Sequence, residues 1–98
     1  MSSHKHLARP YAIAAYEYAT EHDQVAQWGD MLKVLSDIVK QDIVMQLFAD
    51  PRYEAEQLSD VCIALTNGQL DEEACNFVRL LAVANKLVVL PAIKTEFE

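Results

Sequence analysis

Three histidines, two cysteines and fifteen carboxylates are the groups from which this 98-residue chain would have to build an active or metal centre. His4-Lys-His6 sets two imidazoles close enough to touch one metal ion. No second ligand cluster accompanies them, and they read as solvated groups on a terminus. His22 closes a helical stretch, where a partly positive ring suits the negative end of the dipole. Cys62 and Cys75 show no CxxC or Cys/His spacing and read as buried free thiols. Glu21, Asp23, Glu72 and Glu73 fall at helix ends, where carboxylates cap or are solvated, so no paired-acid or Ser/His/Asp arrangement emerges. Gly29 and Gly68 are the only glycines, which leaves no loop to cradle a phosphate. These readings describe a chain that is not an enzyme and that holds neither metal nor cofactor.

The remaining composition describes a binding surface better than a reaction. Half the residues (52%) are hydrophobic, and alanine and leucine in helical spacing dominate. This is one domain, large enough to bury a core without disulfides. Net charge is −7, with eight Lys plus Arg against fifteen Asp plus Glu. That balance argues against a nucleic-acid backbone and against an anionic membrane surface as partner. No apolar run is long enough to insert in a bilayer and no signal peptide precedes the domain, so a soluble cytoplasmic protein is expected.

The elements follow from caps, stops and apolar period. Residues 1–6 read as a flexible lead-in. Helix one starts around Leu7–Pro10, because proline fits a first turn, and runs to about His22. Asp23 caps helix two, Gln24 to Lys40, with Val25, Trp28, Leu32, Leu35 and Val39 on its apolar face. Asp42 caps a short helix three, Ile43 to Ala49, ended by Asp50-Pro51. Helix four, Glu54 to Thr66, carries Leu58, Val61, Cys62 and Leu65 on one face and stops at Asn67-Gly68. Helix five starts at Asp71 and stops at Asn85, with Lys86 at the negative dipole end. Leu87-Val-Val-Leu90 has no strand partner and reads as a turn into helix six, which reaches Phe97. The expected fold is all-α, a compact six-helix bundle with one helix short.

Helices one and five are apolar on more than one face. At about 100° per residue, Ala8, Ala12, Ala15 and Ala19 form a small-residue core stripe, while Leu7, Tyr11, Ala14 and Tyr18 form a second stripe. In helix five, Ala74, Val78, Leu81 and Ala82 face inward, and Glu73, Phe77, Leu80 and Ala84 lie beside them. One reading makes both helices central and both stripes core. The other makes Leu7, Tyr11, Ala14, Tyr18, Phe77, Leu80 and Ala84 the walls of a groove for a partner's amphipathic helix. Arg9 and Arg79 are expected near that groove as solvated charges or rim contacts. A self-associating bundle, a general helix-in-groove adaptor and a small helical enzyme or metal carrier are the alternatives.

The run Ala8-Arg-Pro-Tyr-Ala-Ile-Ala-Ala-Tyr-Glu-Tyr-Ala19 resembles the opening of the delta subunit of bacterial F-type ATP synthase, counterpart of the mitochondrial oligomycin-sensitivity-conferring protein. Trp28-Gly-Asp-Met-Leu32, Asn76-Phe-Val-Arg-Leu-Leu-Ala82, Leu87 and Leu90-Pro91 are similar to later parts of that pattern, in order, from Leu7 onward. The resemblance implies an N-terminal six-helix domain over residues 7–98. Its implied role is a non-catalytic one in the stator, or peripheral stalk, during proton-driven ATP synthesis. It implies that the N-terminal helix of an alpha subunit lies against helices one and five, with Tyr11, Ala14, Phe77 and Leu80 on the binding stripes and Trp28, at a family Trp position, near the groove. It further implies a peripheral location on the cytoplasmic face of the bacterial inner membrane, and a C-terminal domain, outside this chain, that docks on the b-subunit stalk. Two places depart from the pattern: Ile13 stands where a basic residue is usual, and Val83-Ala-Asn-Lys86 replaces a commoner Glu-Asn-Gly-Arg.

Overall fold

The computed structural model describes residues 3–98, apart from the side chain of Ser3. It contains α1 (Ser3–Glu21), α2 (Val25–Val39), α3 (Asp42–Ala49), α4 (Ala55–Leu65), α5 (Glu72–Val83), a 3₁₀ turn at Leu87–Val89 and α6 (Leu90–Phe97). The all-α, six-helix expectation therefore holds, and no strand occurs among the described residues. The molecule measures 38 × 33 × 20 Å. Its short axis is about two helix diameters, so the bundle is two helical layers deep.

The hub is α6, which packs chiefly on α1 and α2, while α5 packs chiefly on α4. Leu90 and Ile93 of α6 are fully buried, together with Leu32 and Leu35 of α2 and Leu81 and Val78 of α5. The alanine stripe of α1 is buried along its whole length. Side chains that short let α6 approach α1 closely, and the aromatic stripe of α1 is left overhanging its other side. Because α1 is committed to α6 and α5 to α4, α1 and α5 do not pack along one another.

Several local expectations need correction. Helix α1 begins at Ser3, so Ser3–His6 are helical rather than a lead-in, and residues 1–2 lie outside the described part. Pro10 is consequently inside the helix. It cannot donate to the His6 carbonyl, so the turns ahead of it are held by fewer backbone bonds. Asp23 does not cap α2. It takes φ 56° and ends α1, where Gln24 N donates to Ala19 O (2.7 Å) and Asp23 N to Thr20 O (3.2 Å). That is a Schellman stop, and aspartate tolerates the left-handed region. Asp42 lies in the first turn of α3, and Gln41 takes the cap position. Val25 and Leu65 are exposed, and the buried face of α4 runs instead through Ser59 and Cys62 to Thr66 just beyond its end. Ser59 and Thr66 can be buried there because their hydroxyls donate to the carbonyls of Glu56 (3.0 Å) and Ile63 (2.6 Å).

Other signals read as expected. Asp71 caps α5, accepting from Ala74 N at 2.9 Å. Asn85, at φ 60°, ends it with a second Schellman pair, Lys86 N to Leu81 O (2.8 Å) and Asn85 N to Ala82 O (3.0 Å). Both cysteines are free, Cys62 buried and Cys75 half-buried. Burial pushes the Cys62 thiol up to about 11, because an ionised sulfur has no solvation there.

A candidate helix-binding groove between α1 and α5

An open cleft of about 340 Å³ runs between α1 and α5. Tyr11, Ala14, Ala15 and Tyr18 form its α1 wall, and Glu73, Asn76, Phe77 and Leu80 form its α5 wall. Trp28 lies at its base, reaching from α2 with only 3% of its surface exposed. The local cause is visible in the helix periods. Tyr11, Ala14 and Tyr18 recur at three- and four-residue steps along α1, and Glu73, Asn76/Phe77 and Leu80 do the same along α5. Each set lies beside, rather than on, the stripe its helix commits to the core.

Aromatic edges brace the base. The Trp28 ring meets Tyr18 and Phe77 edge-on, both at 5.6 Å between centroids, with interplanar angles of 63° and 80°. Such pairs are favourable by about 0.5–1.5 kcal/mol beyond their area. Tyr18 also stacks on His22 at 4.0 Å, and His22 Nδ1 lies 2.9 Å from the Tyr18 carbonyl, donating to it in the Nδ1–H form. That carbonyl also accepts from His22 N (3.1 Å), so the ring adds a second contact to it. The Trp28 indole N–H has no acceptor among the described residues. At the α5 end, Gln27 Nε2 donates to Asp71 Oδ2 at 3.0 Å and ties α2 to the cap of α5. Desolvation, then the nearby Glu73 and Asp71 carboxylates, hold the Tyr18 phenol above its ordinary pKa.

Of the residues singled out from sequence, Tyr11, Ala14, Tyr18, Phe77, Leu80 and Trp28 are brought together here. Exposed Leu7 and half-buried Ala84 lie outside the lining. Neither cation lines the cleft, although Arg79 reaches the lining residue Asn76. By helical period Arg9 falls on the opposite flank of α1, with Ile13 and Tyr16. Arg79 lines a separate cleft against α4, with Ala55, Glu56, Ser59 and Val83, and donates to Asn76 Oδ1 at 3.1 Å. Residue types had pointed to charges near the groove, whereas helical angle decides on which flank they fall. Asn76 and Ala15 were missed as lining, although Asn76 stands three residues after Glu73 and four before Leu80 and could have been found by that spacing.

Among the described residues that line the cleft, the polar groups are the Tyr11 and Tyr18 phenols, the Trp28 indole N–H, Glu73 and Asn76. Among the described residues no cluster of three or more His, Cys, Asp or Glu side chains could hold a metal. No single helix among the described residues is long and apolar enough to cross a membrane. Fold and groove together define a small helical bundle with an unfilled apolar seam between two of its helices.

A family model described as the ATP synthase delta (OSCP) subunit matches residues 7–98. A protein named ATP synthase subunit delta from Pasteurella multocida is 40% identical over 98 residues, 100% of this chain and 55% of the relative. The one from Serratia proteamaculans is 39% identical over 97 residues, 99% of this chain and 54% of the relative. ATP synthase subunit delta 1 of Photobacterium profundum is 34% identical over 97 residues, with the same coverage of 99% and 54%. The chain belongs to the ATP synthase delta (OSCP) subunit family. It spans about half the length of the curated relatives it matches.

Proposed function

We propose that this domain is a non-catalytic part of the peripheral stalk of an F-type ATP synthase and binds the N-terminal helix of an alpha subunit in the groove between α1 and α5. The observation that carries this reading is the groove itself: a seam walled by Tyr11, Tyr18, Phe77 and Leu80 and based on Trp28, left open by two helices that pack elsewhere. A helix laid there would cover Leu80, which is 57% exposed, and complete the packing around Phe77. The work done is mechanical, holding the static head of the enzyme against torque at the membrane's cytoplasmic face.

Titration with a synthetic alpha-subunit N-terminal peptide, followed by Trp28 fluorescence and calorimetry, tests the proposal. Saturable one-to-one binding is expected, weakened by about 1–3 kcal/mol in Phe77→Ala or Tyr11→Ala with helicity retained. A folded domain that gives no heat with the peptide, or Tyr11→Ala and Phe77→Ala variants that bind as the parent does, would remove it.

A further inference from the structure

We infer that the groove selects a cationic amphipathic helix, one that places a lysine or arginine over Glu73 while its apolar stripe lies on Tyr11, Phe77 and Leu80. This rests on the helix-in-groove reading and adds the charge of the occupant.

The groove has an electrical sense that neither wall neutralises. Glu73 lines it, is exposed, and makes no hydrogen bond or ion pair among the described residues. Asp71, one position before α5, is already engaged by Ala74 N and Gln27 Nε2. The start of α5 contributes about half a positive charge from its dipole, against three carboxylates at Asp71, Glu72 and Glu73. The sum is negative. None of the eight lysines and arginines lines the cleft. Arg79 lines the α4 cleft and reaches the groove only through its hydrogen bond to the lining residue Asn76, and Lys86 stays at the far end of α5, donating to Ala84 O at 3.3 Å. The field at Tyr18 has the same sign, since Glu73 and Asp71 both oppose ionisation of its phenol. An incoming helix with an acidic residue at this end would meet repulsion, while one with a basic residue supplies the missing counter-charge.

The test uses calorimetry and stopped-flow fluorescence with two synthetic peptides: an alpha-subunit N-terminal helix, and the same helix with every lysine and arginine replaced by glutamine. Glu73→Gln is expected to weaken the first peptide about two- to fivefold at low ionic strength, mainly through slower association, with the difference vanishing near 0.5 M salt. The glutamine peptide should bind both proteins alike. Equal binding of the first peptide to wild type and Glu73→Gln at low salt would overturn the charge assignment. If Phe77→Ala still weakened that peptide, the groove itself would stand. Failure of the first peptide to bind wild type at all would overturn both.

Discussion

Leu80 and Leu81 are neighbours in sequence that should answer to different assays. Leu80 is 57% exposed and Leu81 is 0% exposed. Complete burial of a leucine side chain is worth about 1.5–3 kcal/mol, so if docking covers Leu80 about 0.9–1.7 kcal/mol remains to be gained there. Leu80→Ala should therefore raise the Kd of the alpha-subunit peptide roughly 5- to 15-fold. Its cost to folding should be only about 0.5–1 kcal/mol, because alanine recovers a little helix propensity and leaves no enclosed cavity. Leu81→Ala, one position round the helix, should cost about 2–5 kcal/mol of stability. Calorimetric titration gives the first quantity and urea denaturation the second. A Leu80→Ala protein that binds the peptide as tightly as the parent would refute the assignment of this face as the contact. So would a loss of stability in the range expected for Leu81.

Two further outcomes follow from single residues. Cys62 should resist thiol reagents in the folded protein at pH 8, while half-buried Cys75 reacts first; labelling followed by mass spectrometry of peptides would check the order. The same burial couples to stability. Below pH 9 both states keep this thiol neutral and the contribution is fully present; between 9.0 and about 11 the unfolded chain ionises first, so about 2–3 kcal/mol should be lost as pH rises through that window. Denaturation of wild type against Cys62→Ser across pH 8–11 would show whether that slope belongs to Cys62. At Asn85, held at φ 60°, Asn85→Ala should cost about 1 kcal/mol and Asn85→Gly should be neutral or slightly stabilising, read as shifts in the urea midpoint.

Sequence alone determined the helices, their main stops and the division of α1 and α5 into two stripes. These are local matters: a cap such as Asp71 or a left-handed stop such as Asn85 acts within a few residues, and a 3.6-residue period assigns faces without any knowledge of neighbours. The same locality explains the errors. Asp23 is equally fit to start a helix or to end one, and only the Ala19–Gln24 hydrogen bond decides between them. Pro10 suits a first turn, yet Ala8 ahead of it is fully buried with the rest of the alanine stripe, and the helix runs on through exposed residues 4–7 to Ser3.

Tertiary structure decided which apolar stripe is core and which is open. Nothing in the spacing of Tyr11 or Phe77 says that α1 packs on α6 and α5 on α4, and that choice of partners is what leaves a seam between them. It also decided the chemistry of the rim. Arg9 and Arg79 belong to the same helices as the groove but fall on other flanks, so the formal charge on the described lining is the carboxylate of Glu73. A period gives the angle of a residue on its own helix; only the packing of several helices fixes what that angle faces.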